Sequence, residues 1–201
     1  MRINHAAAAL ALGLGRLAAA QTQSSLETAL GQYPNLSTFK TLLAGFPNLL
    51  QTVAPVLPGQ KLTILVPTND AITSFLTSSN RSSLAQLPLA QLQSVLKYHV
   101  IEAGLATNDF QAPGGITPPT LLKDPLYNNR TAGAQILARY GPDATGAVLF
   151  VRRDPIPAPA KFRIRAAPAG SASLRAGLGQ TTTLTTIDGV WDGGYFQSVD
   201  A

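Results

Sequence analysis

The chain has 201 residues, 45% of them hydrophobic and 12% charged, a balance that supplies a core and leaves too little charge for a solvated disordered tail. Seventeen glycines and fifteen prolines without a fixed period exclude collagen and argue against a helical bundle, favouring short elements joined by many turns. The formal charge of +5 falls to about +3 once Arg2 and Arg16 are set aside with the N-terminal segment, too weak a balance for a general nucleic-acid binder.

Residues 1–20 begin with Arg2, continue through the apolar run Ala6 to Leu14 and end in Ala18-Ala19-Ala20. That is the layout of a secretory signal peptide cleaved before Gln21, although Arg16 interrupts the apolar segment, and the run is too short to span a bilayer. The mature chain, 21–201, is then expected to be a single secreted or cell-surface domain of about 181 residues with no transmembrane segment. No cysteine is present, so the core alone must hold the fold in an oxidising compartment. Three sequons, at Asn35, Asn80 and Asn129, would accept glycans in a eukaryotic secretory pathway.

In chain order, Phe39, Leu42, Leu43 and Phe46 recur at helical spacing after Ser37, with Asn35 and Ser37 suited to cap the start. Pro47 opens a second short helix carrying Leu49, Leu50 and Val53. Lys61 to Val66, rich in aliphatic and β-branched residues and stopped by Pro67, reads as a mostly buried strand. Thr68 then caps a helix containing Ala71, Ile72, Phe75 and Leu76, with Asp70 in its first turn. Pro88 starts a helix placing Leu89, Leu92, Val95 and Leu96 on one face, which passes into a strand Tyr98-His99-Val100-Ile101. The stretch Pro113 to Pro119 reads as a loop. Beyond it, strands are expected over Ala134 to Tyr140, Ala147 to Arg152, Lys161 to Ala166, Thr182 to Ile187 and Tyr195 to Val199. Helices first and strands later give an α+β domain.

The segment Leu62 to Ile72, with Pro67-Thr68-Asn69-Asp70 at its centre, resembles the first signature of the fasciclin, or FAS1, domain. Leu96-Lys97-Tyr98-His99-Val100 resembles the second. With Leu36-Ser37-Thr38-Phe39 upstream and Gly193-Gly194 before a terminal strand, the resemblance covers roughly 24–200. It implies a wedge-shaped β-sandwich with several short helices packed along one edge, as in secreted and cell-surface adhesion proteins. The chain departs from that pattern in its long, Pro-rich, basic stretch Arg152 to Arg165 and in a final strand followed only by Ala201, as though clipped. The sequence has a fungal look, again by resemblance.

The mature chain has one histidine, His99, and no cysteine, so it offers few groups for proton transfer or nucleophilic attack, and no Gly-x-Ser-x-Gly elbow occurs. No catalytic residue, cofactor or metal site is assigned; a hydrolase centred on His99 is a remote alternative. The resemblance gives Tyr98 and His99 an adhesive reading, since the equivalent pair in animal members has been linked to integrin-dependent adhesion. Strand alternation would bury one of the two, with His99 tied to the Thr68 to Asp70 turn, and a purely structural role is the competing reading. Arg152, Arg153, Lys161, Arg163 and Arg165 are opposed locally by Asp154 alone. As a strand, 161–165 would put three cations on one face, fit either to bind an acidic polysaccharide or anionic cell surface or to shield a sheet edge. The expected partners are cell-surface or matrix proteins and polysaccharides, with no nucleic acid.

Overall fold

A computed structural model describes residues 23–112, 115–127, 132–153, 172–175 and 181–200, without the side chains of residues 111, 153 and 185–187. The leader and the expected strand Lys161 to Ala166 lie outside the described residues.

Among the described residues, three helices precede the first strand: α1 over residues 23–30, α2 over Ser37–Gly45 and α3 over Leu49–Val53. A 3₁₀ turn, Pro34–Leu36, leads into α2. Ser37 is therefore the first residue of the helix rather than its cap, and no side chain of the preceding turn caps it. Strand β1 (Leu62–Pro67) is followed by α4 (Asn69–Ser78), capped as expected by Thr68, whose Oγ1 accepts the Ala71 N–H at 3.2 Å. Helix α5 (Leu89–Tyr98) runs on through Tyr98, and His99 closes it in an αR conformation. The expected four-residue strand is thus only Val100–Ile101, β2. On α5, Leu92 and Leu96 are buried, whereas Leu89 and Val95 are exposed.

Ala134–Tyr140 is a helix, α6, not a strand. Five of its seven residues (Ala134, Gln135, Leu137, Ala138 and Arg139) are strong helix formers, and glycines at 133 and 141 bound it, the latter with φ +101°. The remaining strands are β3 (Phe150–Arg153), β4 (Ala172–Arg175), β5 (Thr181–Trp191) and β6 (Gly194–Asp200).

All six strands form one mixed sheet in the order β2-β1-β6-β5-β4-β3. As expected, the strand ending at Pro67 and the one after Tyr98 lie side by side, antiparallel, with Thr63 opposite Ile101 and Ile64 opposite Val100. β6 runs parallel to β1 along its whole length, from Leu62 opposite Gly194 to Pro67 opposite Val199. The sheet curls. Residues 116–120, read from sequence as loop, bridge Ile101 on β2 through Thr120 and Val151 on β3 through Ile116, joining the two outermost strands. The layers of the expected sandwich are thus parts of one curled sheet, with α1 to α5 packed on its outside.

Two cores follow from the alternation of β1. Leu62, Ile64 and Val66 face the helices and pack with Leu26, Leu43, Leu50, Leu92 and Phe196, while Leu65 faces into the curl with Ile101, Phe110, Val151, Leu174 and Leu184. Each such side chain contributes about 1.5–3 kcal/mol on burial. Thr63, also inside, is fully buried: its Oγ1 donates to the Ala103 carbonyl at 2.7 Å and accepts the Leu105 N–H at 2.7 Å.

Candidate binding surface

The Pro67-Thr68-Asn69-Asp70 segment acts as a joint between elements distant in sequence. Thr68 Oγ1 donates to Asp200 Oδ1 at 3.0 Å while capping α4, and the Thr68 N–H reaches the Val199 carbonyl, tying the start of α4 to the end of β6. Asn69 Oδ1 accepts the Thr38 N–H, and its Nδ2 donates to the Pro34 carbonyl and Ser37 Oγ, so it supplies the cap that α2 lacks locally. Asp70 is exposed in the first turn of α4, where the helix dipole favours its charge.

Tyr98 and His99 sit where α5 ends, both partly buried, with their rings edge to face at 6.2 Å between centroids. Strand alternation does not apply to them, because neither lies in a strand. The His99 ring does not reach the Thr68 to Asp70 turn. Its Nδ1–H donates to the Val95 carbonyl at 2.8 Å, one helical turn back, which fixes the tautomer because a carbonyl can only accept. Burial holds the imidazole below its ordinary pKa, with the Val95 contact opposing that shift, so the ring is neutral at pH 7. Its own carbonyl accepts the Leu65 N–H at 2.7 Å, fixing β2 beside β1. Among the described residues, no three or more His, Cys, Asp or Glu side chains are grouped as a metal would require.

Of the basic stretch, Arg152 is exposed on β3 and Arg153 ends that strand with its side chain outside the described residues, as are Lys161, Arg163 and Arg165. Pairing with β4 puts Arg152 opposite Ser173 and Phe150 opposite Arg175, while Val151 and Leu174 between them point into the curl. Phe150, Arg152, Ser173, Arg175 and Thr181 line a cleft of about 210 Å³ on the outer face. Sequence reasoning missed Arg175, since the short Ala-Ser-Leu-Arg run carries little strand signal and becomes a strand only between its neighbours. Tyr98 and His99 sit where α5 runs into β2, and Arg152 sits on the outer face of β3; the two strands are the outermost in the order and are joined through residues 116–120.

Asn35 in the 3₁₀ turn and Asn80 after α4 are both exposed, Asn80 with φ +52°. Asn129 lies outside the described residues.

The fasciclin domain model matches residues 34–141, more than half of the chain. The chain belongs to the fasciclin domain family. It is 31% identical over 123 residues to the fasciclin-like arabinogalactan protein elcF of Phaeosphaeria nodorum, covering 60% of this chain and 36% of that protein; it therefore spans little more than a third of the length of this curated relative. Among solved structures, a FAS1 domain pair from the insect cell adhesion molecule fasciclin I superposes with a TM-score of 0.52 at 16% identity, over 84% of this chain and 45% of the other. The resemblance read from the two signatures therefore holds for both family and fold: a fasciclin domain built as a curled mixed sheet with short helices.

Proposed function

We propose that this fasciclin protein is a secreted, non-enzymatic module, single over 21–201, that contacts cell-surface or matrix partners through its protein or glycan surfaces. The observation that carries the reading is the fasciclin fold itself, shared with a cell adhesion molecule and accompanied by likeness to an arabinogalactan protein. The signal-like segment 1–20 and the sequons, two of them exposed, support secretion and glycosylation. The groups at hand argue for contact rather than turnover. His99, on which a hydrolase would depend, uses Nδ1 to close its own helix, and among the described residues no serine hydroxyl hydrogen-bonds its ring. Expression of the full chain in a eukaryotic secretory host tests the reading. The product should appear in the medium, lighter by residues 1–20 and heavier by enzymatically removable glycan in its intact mass, and surfaces coated with it should retain cells or wall fragments. Retention inside the cell with the leader attached overturns it.

A second reading, an acidic-polysaccharide binder using the 152–165 stretch, is favoured by the exposure of Arg152 on the outer face of β3 without a described carboxylate partner. It is removed if the chain is not retained on an acidic wall polysaccharide, or if retention is unchanged when Arg152, Arg153, Lys161, Arg163 and Arg165 are all neutralised.

A further inference from the structure

We propose that the cleft on the outer face of β3 and β4 is a subsite for one carboxylate-bearing sugar ring of a polyuronate, held between the guanidinium groups of Arg152 and Arg175. The proposal rests on the acidic-polysaccharide reading above and adds the residues and the unit recognised.

The charge arrangement is the first argument. Arg152 lies opposite Ser173, and Arg175 is two residues further along β4, a diagonal relation that sets the two positions about 7–8 Å apart. Both side chains are exposed, and the ion pair found among the described residues, Lys123 with Glu102, involves neither. Two like charges held this close on a sheet repel each other, and an anion between them relieves that repulsion.

The second argument is size and lining. At about 210 Å³ the cleft is below the roughly 300–1,000 Å³ of sites that enclose a whole small molecule, so it suits one ring of a polymer crossing the surface. A guanidinium fork matches a planar carboxylate through two parallel N–H···O bonds, a match that a lysine or a bare positive patch would not give. Ser173 and Thr181 supply hydroxyls that can donate to or accept from ring hydroxyls, and Phe150, partly exposed at one wall, offers an apolar face to ring C–H groups.

Affinity electrophoresis of the full chain through gels containing polygalacturonate tests this, beside dextran sulfate and neutral dextran, at about 0.15 M salt where weak surface attraction is screened. Retardation by polygalacturonate is expected to fall about tenfold or more in Arg152→Gln and in Arg175→Gln, the loss typical of a hydrogen-bonded charge. Arg175→Lys should recover only part, and Lys40→Gln, one charge removed from α2, should match the parent. Thermal unfolding midpoints equal to the parent's establish that the variants are folded, as expected for outward side chains. Equal loss in Lys40→Gln, or equal retardation by dextran sulfate lost in parallel, overturns the subsite. Polygalacturonate binding that survives both Arg→Gln variants but disappears when Arg163 and Arg165 become Ser overturns the subsite alone. No binding by the parent chain overturns the broader reading with it.

Discussion

Asn69 Oδ1 accepts the main-chain N–H of Thr38, 31 residues earlier, at 2.9 Å, so a side chain at the start of α4 caps the helix that begins at Ser37. Its amide nitrogen holds the preceding turn at Pro34 and Ser37. In the Pro-Thr-Asn-Asp segment the threonine therefore caps its own helix and the asparagine caps another. Asn69→Ala is expected to cost about 1–2 kcal/mol, read as a lower urea midpoint with an unchanged slope. Asn69→Asp keeps the acceptor, loses the donor and should fall between the two.

Thr63→Val tests the buried hydroxyl inside the curl. Valine fills the same volume but strands the Ala103 carbonyl and the Leu105 N–H, both of which depend on Thr63 Oγ1. Each unsatisfied buried group costs about 1–3 kcal/mol, so a loss of several kcal/mol is expected in equilibrium denaturation. Thr73→Val, at an exposed position on α4 where the hydroxyl only returns to the Asn69 carbonyl, should change stability by less than about 0.5 kcal/mol.

Gly194→Ala is expected to abolish cooperative folding. Gly194 adopts φ +140°, and a Cβ there would fall on the Leu62 carbonyl at the first pair of the β1–β6 ladder. Neither strain nor clash can relax without parting the two strands. Loss of near-ultraviolet circular dichroism checks it. Gly45→Ala, with open space around the position, should leave that signal intact and raise stability slightly.

Among the described residues, two groups shape the acid limb of the stability curve. His99 is held below its ordinary value by burial. As pH falls below about 6.5 the unfolded chain gains a proton that the folded chain refuses, so stability declines from there down through the folded value. Asp188 is likewise depressed. Burial pushes it up, but hydrogen bonds from Thr107 and Gln197 outweigh that, so its contribution is present above about pH 4 and is lost as pH falls through the folded value. Urea midpoints across pH 2 to 8 should show both slopes, His99→Gln removing the upper one. Asp188→Asn tolerates the φ of +49° and should remove the lower one.

The sequence was readable where the signal was local. The apolar strand before Pro67, the Thr68 cap and the Pro88 start depend on neighbours a few residues away, and the two signatures meet where Ile64 of the first pairs with Val100 of the second. Ala134–Tyr140 reads as a strand because seven apolar-rich residues are too few for periodicity to separate helix from strand; the flanking glycines are the better guide. Tyr-His-Val-Ile, β-branched and aromatic, carries a strand signal at His99, yet the backbone stays helical through Tyr98 and the ring turns back to Val95. Arg175 had no signal of its own. Its place opposite Phe150 and diagonal to Arg152 exists only once β4 has paired with β3, and the role of Asn69 likewise arises from packing.

The parallel pairing of β1 with β6 also bears on how the protein is made. Thr68 and Asp200, which meet at the end of that ladder, are 132 residues apart in the chain. During translation β1 emerges early with one hydrogen-bonding edge unoccupied, and its partner leaves the ribosome only after nearly everything between has been synthesised. The domain cannot close as it is born; it waits with an apolar strand uncovered, in a state dependent on whatever shields nascent polypeptides.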